Sequence, residues 1–422
     1  MYVSSLPLAL LASLLALPSV HCSAPAAGVP AADAPTADPA KDPGHASGGK
    51  PVAASDDALL LGDARGIESG WLEYLVDVPT CGRWNTSVRA RNLGAAEATV
   101  WVEDYVGNPD GRTYDITGPI AFAPGPDASD LVRSGSPLDA REHRMRVHFS
   151  GGPVAIEELS FSLRVPHALT PATLVQNTDG DAWTLVWSDE FDVDGHPDES
   201  KWTSDVGDWG WGNKEPQEYT HGRLANARCE DGLLHITAVK DDAGHWTSAR
   251  LTTRGKQSFL YGKIDIRAKV PVGDGAWAAG WLLGDAYRDE VSWPYCGEID
   301  VMEAVGREID DETGDGINHG SCHTRAYYFK QGNHISSTLD VESMGAFHTY
   351  TVEWTPDAVK MLVDGHHYYT YDKTANELEW PFAKPQNVIL NLAMGGGMGQ
   401  AIDPSLVSQE VVVDHVRVYG RR

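Results

Sequence analysis

The sequence predicts an all-β protein built of two unequal domains. Three observations carry that prediction. Apolar and polar residues alternate with period two in many short runs separated by Gly, Asn or Pro, which is the pattern of half-buried strands. The 422 residues include 14 Trp, 15 Tyr, 43 Gly and 25 Pro, an aromatic and turn-former enrichment that argues against coiled or disordered chains. No ten-residue stretch of the long C-terminal part holds a convincing helical period.

Taken in order, the chain begins with an apolar run from Leu6 to Leu17 and small residues around Ser19 to Ala24. The run is too short for the roughly 20 residues of a bilayer-spanning helix, so residues 1–22 read as a signal peptide although Lys and Arg are missing from its first five residues. A secreted protein, extracellular or periplasmic, is the expectation. His21 is not the small residue that a lipid-anchor site prefers before its cysteine, so no anchor is expected at Cys22. Residues 23–57 are Ala, Pro, Gly and Asp with almost nothing large and apolar. They read as a linker. Residues 58–165 carry the alternating runs WLEYLVDV, WNTSVRAR, ATVWVED, HRMRVHFS and VAIEELSFSLRV, the spacing of a small β-sandwich. Residues 166–181 read as a second linker. Residues 182–422 are again strand upon strand, from WTLVWSDEF to VVVDHVRVY. Without intervening helices, these strands suit a two-sheet sandwich with a concave face.

Charge and cysteines narrow the function. Lys plus Arg number 33 against 60 Asp plus Glu, a formal charge of −27. Such a field argues against nucleic acid or anionic membrane and leaves neutral ligands open. Once Cys22 is removed, Cys81, Cys229, Cys296 and Cys322 remain, which is no disulfide framework for so long a chain. Whether any of them pair stays open. His319 and His323 flank Cys322, but on a strand such positions lie some 13 Å apart, so no zinc site is expected there.

The most informative segment is Cys296-Gly-Glu-Ile-Asp-Val-Met-Glu303. On a regular strand Glu298, Asp300 and Met302 share one face and Glu303 points to the other. Acids are disfavoured in strands and costly when buried. One extra residue, a β-bulge at Val301 or Met302, would return Glu303 to the face of Glu298 and Asp300. Three carboxylates on one face push their pKa values apart, and a pair with one ionised and one protonated member is what glycoside hydrolysis requires.

Glu298-Ile-Asp-Val-Met-Glu303 resembles the longer, bulged signature of glycoside hydrolase family 16. WSDEFD (187–192), WGWGNKEPQEYT (209–220), FHTYTVEWTP (347–356) and NLAMGGG (391–397) resemble further family landmarks in the family's order. Trp277 and Trp281 before the acids, and WPYCGEID (293–300), are most similar to the bacterial endo-β-1,3-glucanases of that family, the laminarinases. The resemblance implies a β-jelly roll with an open cleft and hydrolysis with retention of configuration. It implies Glu298 as nucleophile, Glu303 as general acid and base, and Asp300 as their hydrogen-bonding neighbour. It gives substrate contacts to Asn213, Arg250, Trp277, Trp281, Trp293, His323 and Asn391, the indoles offering flat faces to sugar rings. Catalysis needs no cofactor on this reading. A structural Ca²⁺ is implied at Asp414 with Glu190 and Gly232, oxygen ligands that suit the ion.

The 58–165 segment faintly resembles a family 6 carbohydrate-binding module, without that module's late loop Trp. Trp71, Trp84 and Trp101 fall on strands, where packing is an ordinary role, so glycan binding and a docking or spacer role both remain open. The expected protein is a secreted monomer that cleaves internal β-1,3 bonds of laminarin-type glucans. The alternatives are a hydrolase of red-algal galactan and a catalytically silent β-glucan-binding protein, the last disfavoured by the presence of all three acids.

Overall fold

The computed structural model describes residues 70–421 except 80–83, 106–112, 126, 136–137, 139–140, 164–172, 177–181, 288–292 and 330–331, together with strand residues 45–46, 52–53 and 59–60. Residues 1–22, read above as a signal peptide, and Cys81 lie outside the described residues. So does most of the first linker, but His45–Ala46 and Val52–Ala53 within it pair in parallel with Gly70–Val78.

Among the described residues the strands form four sheets, two in each half of the chain. In the small half, Gly70–Val78, Arg141–Ser150 and Ala98–Tyr105 run antiparallel side by side, and Val154–Leu163, Trp84–Asn92 and Ser129–Ser134 form the facing sheet. Period-two burial places Val88, Val100, Val102, Met145, Val147 and Phe149 between them in a core of their own. Trp84 and Phe122 belong to that core. Trp71 and Trp101 instead flank His148 in register on the outward face, where Trp101 stacks on His148 with ring centroids 5.0 Å apart.

The large half is the expected two-sheet sandwich. A ten-stranded sheet centres on Ser408–Arg421 and Gly262–Lys269, and a nine-stranded sheet centres on Gln386–Met394, Ala276–Gly284 and Glu298–Val305. Side chains such as Ile264, Ile266, Val352, Trp354, Val388, Leu390, Val416 and Val418 fill the space between them. Thr173–Gln176, inside the stretch read as the second linker, is instead an edge strand paired in parallel with Gln257–Leu260. Its four residues carry alternation too short to separate a strand from a linker.

Among the described residues no helix is long and apolar enough to cross a membrane. Cys229, Cys296 and Cys322 are buried free thiols.

Candidate active site

The carboxylate strand Glu298–Val305 lies between Ala276–Gly284 and Gly316–His323. Its register against the first neighbour slips by one: Gly280 faces Met302 and Trp281 faces Asp300, leaving Val301 without a partner. This is the bulge that the spacing of the acids required. Val301 and Met302 both enter the core, so Met302 does not share the face of Asp300, and Glu303 returns to the cleft beside Glu298 and Asp300.

A bulge leaves backbone groups outside the ladder, and Asn318 takes them. Its Oδ1 accepts the Glu303 N–H at 3.1 Å, and its Nδ2 donates to the Val301 carbonyl at 3.2 Å and to Tyr368 Oη at 2.9 Å. Asn318 is fully buried, so these bonds are not shared with water. Asn318 thereby fixes the direction in which Glu303 leaves the strand.

Each acid has its own partner. Trp293 Nε1 donates to Glu298 Oε2 at 3.0 Å, and Trp277 Nε1 donates to Glu303 Oε1 at 3.1 Å. Ser321, across the ladder from Asp300, donates a short bond to Asp300 Oδ2. His323 lies opposite Glu298 in register, with Nε2 3.3 Å from Asp300 Oδ2 and 3.7 Å from Glu298 Oε1. Burial pushes the Glu303 carboxyl up to about 8, aided by the charge of Asp300 and opposed by the Trp277 bond. Burial also pushes Glu298 up, with Asp300 and Glu303 adding to it, while Arg250 and the Trp293 bond pull it back. Crowded carboxylates of this kind hold protons at neutral pH that isolated ones would release.

The acids open into a cleft that also carries indoles and the side chains of Arg250 and Asn391. Trp277, Ala279, Trp281 and Leu283 alternate onto its floor. Trp281 Nε1 donates to Asn391 Oδ1 at 2.7 Å, and Asn391 Nδ2 donates to Tyr219 Oη at 3.1 Å. Arg250 is held between two indoles, 4.8 Å from the Trp211 ring and 4.7 Å from the Trp281 ring, and donates to Asp205 Oδ2 at 3.1 Å. That positive charge lies against both rings and lowers the pKa of Glu298. Trp293 packs edge-on against Tyr328 and beside Phe329, and Phe329 is exposed at the cleft mouth.

One wall is the loop Trp209 to Glu215. Gly210 and Gly212 adopt positive φ there, and Trp211 and Lys214 do so despite their side chains, at 51° and 59°. Trp209 and Trp211 line the cleft but are almost wholly buried, packed with Tyr219. Asn213 faces the cleft and donates to Glu215 Oε1 at 3.2 Å.

The predicted cleft residues are thus together: Asn213, Arg250, Trp277, Trp281, Trp293 and Asn391 line one cleft with the three acids, and His323 supports it from the next strand. Sequence reasoning missed Glu215, Asn318, Ser321, Tyr287 and Phe329. Glu215 had a signal, since the alternation Glu215, Gln217, Tyr219 points three polar groups one way. Gln217 and Tyr219 both donate to its carboxylate, at 2.8 and 3.4 Å.

The positions read as a calcium site lie elsewhere. Asp414 is paired with Arg267 at 2.7 Å and with His415 at 3.0 Å, while Glu190 makes a two-pronged pair with Arg417 at 3.0 and 2.8 Å. Of the three positions only Asp414 was read as a side-chain ligand, and in this structure the Arg267 guanidinium holds its carboxylate.

Residues 213–412 match the family model described as Glycosyl hydrolases family 16. The chain is 43% identical over 249 residues to a β-glucanase of Rhodothermus marinus, covering 56% of this chain and 85% of that protein. It is 36% identical over 242 residues to a glucan endo-1,3-beta-glucosidase of Cryptopygus antarcticus, covering 53% and 86%. Among solved structures, the laminarinase from Rhodothermus marinus superposes with a TM-score of 0.52 at 42% identity, covering 57% of this chain and 98% of that one.

Proposed function

The chain belongs to family 16 of the glycosyl hydrolases, and on that premise we propose that it is a retaining endo-β-1,3-glucanase acting on laminarin-type glucans. The chain is a glycoside hydrolase; linkage, stereochemistry and mode of attack are the proposal. The observation that carries it is the bulged strand, which turns Glu298, Asp300 and Glu303 into one cleft floored by indoles.

In this reading the Glu298 carboxylate attacks the anomeric carbon. The C1–O bond to the leaving sugar breaks while Glu303 delivers its proton to the departing oxygen. Glu303, now ionised, takes a proton from water, whose oxygen attacks C1 and releases Glu298. Two inversions give net retention. The competent form has its proton on Glu303 and none on Glu298. Two features favour that distribution at Glu298: the Arg250 charge, and the Trp293 N–H, which can only donate and so prefers the carboxylate. Asp300, held by Ser321 and beside His323, lies between the glutamates on the same strand. The apparent pKa values belong to the set rather than to one residue.

Secretion and a monomeric state are part of the same proposal, supported by the apolar run 6–17 and the acidic surface charge. The test is product analysis on laminarin, mixed-linkage glucan and agarose, with NMR of the first-formed anomer. Oligosaccharides from laminarin with the β-anomer first are expected. Products from agarose alone would replace this reading with the galactan one. Glu298→Gln should abolish hydrolysis while leaving laminarin-oligosaccharide binding, because the amide keeps the shape and cannot attack.

A further inference from the structure

The cleft wall that carries Trp209, Trp211 and Asn213 is strained where it is most exposed to use. Trp211 and Lys214 hold left-handed backbone at 51° and 59°, a conformation that costs non-glycine residues energy and persists only when surroundings enforce it. The large half ties the loop in part: Asn213 N–H and Glu215 N–H donate to the Gly210 carbonyl at 2.9 and 3.1 Å, Trp211 Nε1 donates to the Gly207 carbonyl at 3.1 Å, and Trp209 and Trp211 pack with Tyr219.

The small sandwich adds contacts from the other side. Arg133, on Ser129–Ser134, donates to Asp208 Oδ1 at 2.9 Å. Lys214 Nζ lies 3.9 Å from Glu103 Oε1, and Glu103 is itself held by Trp101 Nε1 at 2.7 Å and by His148 at 3.4 Å. Between these two points the turn at Gly118 presses on the loop backbone. A Cβ on Gly118 would stand 2.4 Å from the Trp209 carbonyl oxygen, so only glycine fits. Asp115 fixes that turn by accepting the N–H groups of Thr117 and Gly118 at 3.1 and 2.8 Å.

We infer that the small sandwich is a fixed part of the catalytic cleft, an internal docking surface that holds the Trp209–Lys214 wall in its substrate-binding shape. It acts by positioning and touches no reacting atom. The identity of the sugar bound at that wall rests on the glucanase reading; the docking itself does not.

The test uses full-length protein. Gly118→Val removes the close approach. Arg133→Glu, at a half-exposed position, reverses one ion pair without touching either core. Arg133→Glu with Asp208→Arg restores the pair with its charges exchanged. Gly125→Ala, at a position with open space around it, is the control. In hydrogen exchange, amides of 208–215 should exchange about tenfold faster in Gly118→Val, and about threefold faster in Arg133→Glu, as loss of a partly exposed ion pair implies. The exchanged pair and the control should match wild type. On laminarin at the pH optimum the two disrupted variants should show raised KM with kcat within about twofold, since neither substituted residue touches the acids. Unchanged exchange over 208–215 in Arg133→Glu would overturn the inference, whether or not Gly118→Val folds. If wild type leaves laminarin intact, the glucanase reading fails and the exchange result still decides the docking.

Discussion

Replacing Trp277 by Phe tests the assignment of Glu303 as the group that must keep its proton. The ring and its packing survive, and the indole N–H that donates to Glu303 Oε1 at 3.1 Å is lost. An indole N–H has no acceptor role, so this bond stabilises the carboxylate over the acid and holds down a pKa that burial raises to about 8. A hydrogen bond to a charged group contributes about 1.5–3 kcal/mol. At 3.1 Å the bond is longer than strong charge-assisted ones, so about 1.5 kcal/mol is the better figure. One pKa unit corresponds to about 1.4 kcal/mol. The alkaline limb of kcat/KM, set by loss of the Glu303 proton in free enzyme, should therefore move up by about one pH unit. The assay is initial rates on a laminarin oligosaccharide from pH 5 to 10. A limb that stays in place means another group sets it. A limb that moves down means that water entering the space left by the indole solvates the carboxylate, and that burial by Trp277, not its N–H, was the controlling effect.

Further outcomes follow from the same geometry. Glu303→Gln should flatten the dependence of Tm on pH. The folded pKa lies above the ordinary 4.5, so this group's stabilisation is complete below about 4.5 and is lost as pH rises through about 8; the amide has no proton to lose, and equal falls in Tm from pH 5 to 9 would contradict the assignment. Asn318→Ala should lower kcat by about 10²-fold, because Glu303 would lose its aim by a fraction of an ångström to an ångström, with KM changed by less than about threefold; an unchanged kcat would show that the bulge holds itself. Calcium or a chelator should leave Tm of the wild type unchanged, since Arg267 already holds the Asp414 carboxylate; a Tm rise of more than about 2 °C with millimolar calcium would show that a cation displaces Arg267.

The sequence made the fold class and the acids legible for a common reason: both are local. Period-two alternation marks a strand wherever one face is buried, and it marked nearly every long strand in both halves. The spacing Glu298, Asp300, Glu303 is odd by one for a regular strand, so the bulge was implied by the misfit. Which residue would fall out of register was not. Both Val301 and Met302 are apolar, and the core accepts both. Asn318 was illegible because its value lies in two backbone groups seventeen and fifteen residues away. Nothing in INHGSCH distinguishes an asparagine that closes a bulge from one that caps a turn. The pairing of Asp414 was hidden for a related reason: Arg267, which holds its carboxylate, comes from a neighbouring strand that the pattern did not connect to it.

The docked small sandwich was beyond sequence reasoning because alternation tells which face of a strand is covered and never by what. Trp84 and Trp101 read alike as strand tryptophans, yet one fills the core and the other braces Glu103 against Lys214. The distinction matters for catalysis. A glycosidase cleft must hold sugar rings against flat groups, and its wall here is a loop with two non-glycine residues in left-handed backbone. Such a loop standing alone would relax toward cheaper conformations, and Trp211 would then release its stacked Arg250. That loss would travel to the acids, since Arg250 is one of the charges favouring ionised Glu298. Support of the wall from outside the jelly roll therefore bears on proton placement as well as on sugar binding. Severe disruption of the Gly118 contact should accordingly shift the acid limb of the pH profile upward, because Glu298 would hold its proton to higher pH once the Arg250 charge recedes. A raised KM with an unmoved acid limb would confine the sandwich to sugar binding, with Arg250 kept in place by Asp205 alone.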